Sequence, residues 1–270
     1  MAKKKGKPLR CAAYAGDCVA IIPEKLDPKS AHLAILDPPY NLGKNYDAYD
    51  DRKPIDECLA WFGKRLDQVR LAMHPSGTMW VFVNDGLVSE VDVLAKFMGF
   101  HKRSRVVWYY TFGVNHAKNF TPSHTHLLRY SKSRSKFTFN PDGIRVPSSR
   151  QLKYKDKRAN PKGRLPDNTW VLFPEQIPDS FDPAGDTWLA SRVCGTFNER
   201  EPHSPNQIPV PIMERIVLST SNPGDLVLDP FMGSGSAGVA AKLHGRAYVG
   251  IDVSKTCVLE SEKRIAKVQT

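Results

Sequence analysis

Two short apolar runs near the carboxyl end of the chain each stop at an aspartate, and a glycine-rich turn lies between them. Residues 225–229 and 247–252 are typical of buried β-strands, and residues 231–238 are typical of a turn that opens a helix. A strand, a helix and a second strand in this order build one unit of a parallel sheet. Because 18 residues follow Asp252, we expect the rest of this sheet to come from earlier parts of the chain.

The first 131 residues contain the pattern that such a sheet requires. Runs typical of strands (9–13, 33–36 and 78–83) alternate with stretches of helical spacing (17–22, 55–73 and 87–98). Two further strands are predicted at 105–112 and 125–131, one of them antiparallel at the sheet edge. This alternation predicts an α/β fold with a doubly wound, Rossmann-like sheet. Residues 132–200 lose the pattern and favour a loop-rich insertion.

The strand predicted at 33–36 ends in Asp37, Pro38, Pro39 and Tyr40. Prolines cannot continue a central strand, so the acid and the tyrosine lie on a stiff loop at the edge where parallel sheets bind ligands. A carboxylate and a backbone carbonyl held there can accept both N–H groups of a planar amine, while the ring stacks on its plane. An ordinary turn explains the same four residues, and this stretch alone leaves both interpretations open.

The glycine-rich turn predicts a second ligand-binding element. Its glycines allow a backbone to pass close to a ligand, and the helix that follows offers free N–H groups to a carboxylate. Asp252, at the tip of the next strand, can accept both hydroxyls of a ribose. Gly233, Gly235 and Gly238 have the spacing of a dinucleotide motif, but nicotinamide chemistry has no evident use for a loop aimed at an amine. S-adenosylmethionine, a nucleoside with a carboxylate and no phosphates, fits better.

The net charge of +11 is concentrated in one internal block. Residues 101–164 hold 16 Lys/Arg against only Asp142 and Asp156, whereas the rest of the chain holds 23 Lys/Arg and 26 Asp/Glu. A solvated charged face usually mixes both signs, so a block of one sign favours a phosphate-binding surface.

The five cysteines contain no Cys-x-x-Cys pair, which predicts free thiols in a reducing, cytoplasmic compartment and no metal site. His124, His126 and His203 are accordingly expected to be structural or to face phosphates. No apolar run approaches the roughly 20 residues that a membrane helix needs, so no membrane association is expected.

Asp37-Pro38-Pro39-Tyr40, taken with Asp229-Pro230-Phe231-Met232-Gly233-Ser234-Gly235, resembles the two motifs of the amino-methylating DNA methyltransferases. The catalytic motif precedes the cofactor motif, as in the β group of that family. The resemblance covers most of the chain and is weakest over 132–200. It implies a seven-stranded methyltransferase sheet, S-adenosylmethionine as the methyl donor, and a flipped-out adenine or cytosine of double-stranded DNA as the acceptor.

The resemblance also assigns roles to individual residues. Asp37 and the Pro38 carbonyl, on the loop with Pro39, would hold the amine, and Tyr40 would stack on the base. The implied cofactor residues are Asp17, Asp229, Phe231, Gly233, Gly235, Ser236 (where the family usually has Thr) and Asp252, with Asn206 and Gln207 from the Pro-rich segment His203–Pro209. That segment departs from the family pattern by one inserted residue and by Ile208 in place of a lysine.

The same resemblance divides the chain into a basic disordered tail (1–10), a catalytic half (11–131), a basic target-recognition insertion (132–200) and a cofactor-binding half (201–270). The residues expected to contact DNA are Arg129, Lys132, Arg134, Arg145, Arg150, Lys153, Lys155, Lys157 and Arg158. Adenine N6 is the expected target because the tetrapeptide opens with Asp and not Ser; cytosine N4 stays open, as does an inactive DNA-binding protein on the same fold. Family habit alone implies a homodimer and a cognate restriction nuclease.

Overall fold

A computed structural model describes residues 10–44, 46, 49–110, 117–171, 181–182, 187–188, 200–201 and 206–269. Of the predicted basic tail only Arg10 is among them, and His116, Cys194 and His203 lie outside the described residues.

The described strands form one mixed sheet of eight strands in the order β1-β10-β9-β2-β3-β5-β4-β6, with a separate two-stranded ribbon, β7-β8. Strands β1, β10, β9, β2 and β3 are mutually parallel, and β5 runs antiparallel to both β3 and β4. The strands are β1 (Cys11–Ala15), β2 (Ala31–Leu36), β3 (Met73–Val83), β4 (His101–Tyr109), β5 (His124–Ser131), β6 (Thr169–Val171), β7 (Phe181–Asp182), β8 (Thr187–Trp188), β9 (Leu226–Asp229) and β10 (Ala247–Asp252).

Helices cover both faces of the sheet. Alternate residues of β2 point to opposite faces, so that Ala34 and Leu36 join the core with α1 to α3 whereas Leu33 and Ile35 join the core with α5 and α6. This is the doubly wound α/β architecture that the sequence predicts. The helices are α1 (Cys18–Lys25), α2 (Ile55–Ala72), α3 (Val88–Phe97), α4 (Ser149–Leu152), α5 (Val210–Thr220), α6 (Ser236–Leu243) and α7 (Lys255–Ala266), with a 3-10 helix at Pro141–Ile144.

Three details differ from the sequence prediction. The sheet has eight described strands and not seven, because Thr169–Val171 of the basic insertion pairs with the outer side of β4. β5 is antiparallel as predicted, but it lies inside the sheet between β3 and β4. Helix α1 runs through Pro23 to Lys25, since a proline loses only one helical hydrogen bond and this helix ends within a turn of it.

The four described cysteines, Cys11, Cys18, Cys58 and Cys257, are free thiols. None of the helices in the described part of the chain is both long enough and apolar enough to cross a bilayer.

Candidate active site

A cavity of about 500 Å³ opens at the carboxyl ends of the parallel strands β1, β2, β9 and β10. An acid lies at the end of each of these strands or within two residues of it, and all four of these acids line the cavity: Asp17, Asp37, Asp229 and Asp252. The structure therefore brings together the stretch Asp37–Tyr40 and the glycine-rich turn after Asp229, which lie almost 200 residues apart in the sequence.

Asp37 and Tyr40 face each other across the Pro38-Pro39 turn. The Tyr40 hydroxyl donates a 2.6 Å hydrogen bond to Oδ1 of Asp37, and all four residues line the cavity. Asn84, directly after β3, donates from Nδ2 to the Tyr40 carbonyl at 3.4 Å, which ties the end of this turn to the neighbouring strand. The turn is thus held from both sides.

Burial sets the acidity of Asp37. Removal from water raises the pKa of this carboxyl from 3.8 to about 6, against the opposing effects of the Tyr40 hydrogen bond and the Lys44 charge. At neutral pH the group is a carboxylate that is a far better proton acceptor than an exposed aspartate.

Asp252 organises the glycine-rich turn. Its Oδ2 accepts from the backbone N–H of Gly233 at 2.9 Å, and its Oδ1 accepts from Ser254 N at 2.9 Å. A carboxylate has about four acceptor positions, and that of Asp252 lines the cavity. Gly233 lines the cavity and has a φ of 46°, a left-handed conformation that favours glycine.

Asp229 is almost fully buried beside this turn. Its two oxygens accept from Phe231 N at 3.3 Å and from the Tyr248 hydroxyl at 3.1 Å. Burial, strengthened by the nearby Asp37 and Asp252 charges, raises the pKa of Asp229 to about 8. The group is therefore largely protonated at pH 7 and supports the turn as a neutral hydrogen-bonding residue.

Gly235, a predicted cofactor residue, is not among the residues that line the cavity. It has a φ of 73° at the start of α6, and a Cβ atom there would lie 2.8 Å from Cβ of Ser261 on α7. A side chain at this position would push α7 away, so glycine is required for packing. Ser236 does line the cavity, and its hydroxyl lies 3.2 Å from that of Ser234.

Asp17 lies at the cavity with its carboxylate already engaged. Oδ1 caps α1 by accepting from Val19 N, and Oδ2 pairs with the Arg65 guanidinium at 2.5 Å. Arg65 in turn covers the ring of Trp61 at 3.9 Å, and Trp61 continues an aromatic wall to Phe231. Sequence reasoning missed Trp61 and Arg65; the signal was their i, i+4 spacing on α2, directly beside the buried stripe of Phe62 and Leu66.

A buried acid, Asp51, holds the loop that follows Tyr40, and it too was missed. Its carboxylate accepts from the backbone N–H groups of Asn41, Leu42 and Lys44 at 2.8 to 3.1 Å. The Lys44 ammonium then donates to Oδ1 of Asn206, whose amide donates to the Tyr46 hydroxyl at 3.1 Å.

Asn206 lines the cavity as predicted, but Gln207 does not. The Gln207 amide oxygen accepts from Glu201 N at 2.7 Å, so this side chain anchors its own segment.

Two of the residues predicted to contact DNA are structural. The Lys132 ammonium donates to the carbonyls of Arg70 and Met73, both at 2.7 Å, at the sheet edge opposite Asp37. Arg129 is 8% exposed, and its guanidinium packs 4.4 Å from the ring of Phe139. Neither side chain is free to bind phosphate. Arg134 is exposed, but it follows Lys132 at that same distant edge.

The remaining basic residues lie on the surface of the insertion, and none of them lines the cavity. Arg150 and Arg158 share the carboxylate of Asp156, and Arg145 pairs with Asp142. Lys153, Lys155 and Lys157 are exposed, with no ion pair to any described residue.

Comparisons with known proteins show what the whole chain is similar to. The family model of the N6/N4 DNA methylases matches residues 31–263. The type II methyltransferase M.HpaI of Haemophilus parainfluenzae is 33% identical over 90% of this chain and 70% of its own length. The DNA adenine methyltransferase YhdJ of Escherichia coli K12 is 30% identical over 93% of this chain and 81% of its own. Among solved structures, the cytosine-N4-specific PvuII DNA methyltransferase has the same fold, with a TM-score of 0.64 at 16% identity over 97% of this chain and 94% of its own.

Proposed function

This chain belongs to the N6/N4 DNA methylase family, with S-adenosylmethionine as its methyl donor, and from that premise we propose that it methylates the exocyclic N6 amine of a flipped-out adenine in double-stranded DNA. One observation supports the proposal. Asp37, at the start of the Pro38-Pro39 turn, lines the same cavity as Asp252 and the glycine-rich turn. The groups that can accept hydrogen bonds from a base amine and the groups that can bind the cofactor nucleoside therefore line one cavity.

The cavity fits the cofactor. The carboxylate of Asp252 lines the cavity, where it can accept from ribose hydroxyls, and the wall of Trp61 and Phe231 offers apolar faces to a flat ring. The carboxylates of Asp37 and Asp252 favour a positively charged ligand over a neutral one in a site with little water. When bound, the cofactor supplies a sulfonium-activated methyl group, so the protein needs no nucleophile of its own.

The residues of the chain act on the acceptor amine. Asp37 and the Pro38 carbonyl accept its two hydrogens, which directs the nitrogen lone pair away from them and toward the methyl donor. Asp37 accepts the Tyr40 hydroxyl on Oδ1, and a carboxylate has a second oxygen that can accept from the amine. The proton that the nitrogen loses after transfer passes to Asp37, whose pKa of about 6 lets it release that proton to water at neutral pH. A base must leave the duplex stack to reach this depth.

Adenine is favoured over cytosine because an acid, Asp37, opens the tetrapeptide and because the relative YhdJ is named an adenine methyltransferase. The test is transfer of labelled methyl from S-adenosylmethionine to unmethylated duplex DNA, followed by separation of the nucleosides. N6-methyladenine supports the proposal. N4-methylcytosine would keep the mechanism and replace the base, and DNA binding without any transfer would favour an inactive protein on the same fold.

Tyr40→Phe is expected to move the acid limb of the pH profile of kcat/KM to higher pH. The Tyr40 hydrogen bond lowers the pKa of Asp37, so its removal raises that pKa further above 3.8. The active carboxylate, present above about pH 6 in the wild type, is then lost earlier as the pH falls. Because the ring is retained, kcat at pH 8 should change by less than about tenfold. An acid limb that stays in place would contradict the role of this hydrogen bond.

Replacing Lys153, Lys155 and Lys157 together with glutamine is expected to weaken binding to all DNA sequences alike. Each lysine that contacts a phosphate contributes about 0.9 to the slope of log K against log salt, so the slope should fall by about 2 to 3. The matched control replaces three exposed lysines outside the insertion that have no ion pair to any described residue, namely Lys29, Lys64 and Lys267. Equal slopes in the two triple variants would remove the insertion from the DNA-binding surface.

A further inference from the structure

Three metal-ligating side chains converge outside the cavity. Asp85 lies two residues after the end of β3, and His124 and His126 lie at the start of the neighbouring antiparallel strand β5, where His126 pairs with Val83. Since His124 and His126 are two residues apart on one strand, both rings lie on the same face of the sheet. One ligand atom from each of the three residues lies within 4.8 Å of the other two.

The separations match those of a coordinated ion. Nε2 of His124 lies 3.2 Å from Nε2 of His126, and Oδ1 of Asp85 lies 3.1 Å from His126 Nε2 and 3.8 Å from His124 Nε2. Two ligand atoms at 2.0–2.1 Å from a tetrahedral zinc are about 3.3–3.4 Å apart. The three separations in this cluster, which run from 3.1 to 3.8 Å, average close to that value.

Protons alone satisfy this arrangement poorly. Nε2 of His126 has only one proton, yet it faces both the Asp85 carboxylate and the second imidazole nitrogen at hydrogen-bond distance. If this N–H of His126 donates to Asp85, Nε2 of His124 and Nε2 of His126 lie close together with no good hydrogen bond between them. One cation at the centre would accept all three lone pairs at once.

We propose that Asp85, His124 and His126 form a binding site for one zinc ion, with water at the fourth position. Two imidazoles and one carboxylate are a ligand set that zinc accepts with an open coordination position. Nδ1 of His126 is buried and has no hydrogen-bond partner among the described residues. Metal-bound imidazoles usually donate from that nitrogen, and loss of the partner typically costs 10–100-fold in affinity. The site is therefore weaker than a fully supported structural zinc site.

The ion would act as a clamp. It would join the loop after β3 to the start of β5, one residue beyond Asn84, whose side chain contacts the carbonyl of Tyr40. Asn84 also accepts from Leu87 N at 3.1 Å, which ties this loop to the start of α3. Zinc would thus stabilise the contact between Asn84 and the Asp37–Tyr40 turn from outside the cavity. It would take no part in methyl transfer itself.

The test uses the full-length protein, freed of metal by a chelator and titrated with zinc by calorimetry and with Co²⁺ by visible absorption. The wild type should bind one zinc per chain, and bound Co²⁺ should give the intense absorption of a tetrahedral site. Asp85→Asn and His124→Gln, which change side chains that are not fully buried, should each weaken binding at least ~10-fold. His101→Gln is the matched control, since His101 lies at the opposite end of the sheet.

A second measurement separates binding from misfolding. At a zinc concentration close to the wild-type Kd, zinc should raise the thermal midpoint of the wild type and of His101→Gln, and it should raise that of Asp85→Asn much less. Equal zinc affinity in the wild type, Asp85→Asn and His124→Gln, or no binding in the wild type, would overturn the proposal. Neither outcome depends on methyl transfer, so the result stands apart from that of the activity test.

Discussion

Asp37→Asn is expected to lower kcat for methyl transfer by about 10³-fold. The carboxylate is the charged acceptor at the amine, and an asparagine turns one of its oxygens into an N–H₂ donor that repels the amine hydrogens. Removal of one preorganised hydrogen-bonding group from a site of this kind typically costs 10²–10³-fold, and here the replacement also removes a charge. Single-turnover transfer of labelled methyl at saturating cofactor measures the effect.

The same substitution should stabilise the fold at pH 7. The pKa of Asp37 rises from 3.8 to about 6 on folding, so the carboxyl contributes stability below pH 4 that is lost as the pH rises through 6. A neutral amide avoids that loss, and a gain of about 1–2 kcal/mol is expected at pH 7, after allowance for the weaker bond to Tyr40. The gain should shrink as the pH falls below 6. Denaturant unfolding at several pH values measures it.

Asp50→Asn is the matched control, because it removes the same charge from an exposed position on the following loop. It should leave both kcat and the free energy of unfolding close to those of the wild type. An Asp37→Asn protein that retains more than a tenth of the wild-type kcat would contradict the assigned role of Asp37, whatever its stability. A variant that is both inactive and unstable would indicate a structural role instead.

The residues that end strands could be predicted from the sequence because local rules fix them. Asp37, Asp229 and Asp252 each follow an apolar run that has no room for a charge, so the acid must lie at the strand end. Parallel pairing then brings these ends to one edge. The prediction of the cavity therefore required only the strand pattern and the direction of the sheet.

Residues whose roles depend on tertiary neighbours could not be predicted in this way. Gly235 has the spacing of a ligand-contacting glycine, but the position that a side chain would take there is occupied by Ser261 of α7. The spacing of glycines in the sequence cannot predict this contact. Lys132 looks like any basic residue of the charged block, yet its ammonium is fixed by two backbone carbonyls near the end of α2. Charge clustering counts residues and says nothing of which side chains are already engaged.

Asp252→Ala is expected to weaken the binding of S-adenosylmethionine by about 10²-fold or more. The alanine removes the acceptor for ribose hydroxyls, and hydrogen bonds to a charged group are worth about 1.5–3 kcal/mol each. It also removes the partner of the Gly233 N–H, so the glycine-rich turn loses its anchor to the end of β10. Both effects act on the cofactor and not on the amine, so KM for the cofactor should rise much more than kcat falls.

Calorimetric titration with S-adenosylmethionine measures the affinity directly, and initial rates at saturating cofactor separate the two kinetic constants. Asp225→Ala is the matched control, since it removes an acid at the opposite end of the adjacent strand β9, away from the cavity. Unchanged cofactor affinity in Asp252→Ala would exclude this carboxylate as a cofactor ligand. If kcat fell at saturating cofactor as steeply as in Asp37→Asn, the glycine-rich turn would also have to position the acceptor amine, and the two halves of the cavity could no longer be treated as separate in function.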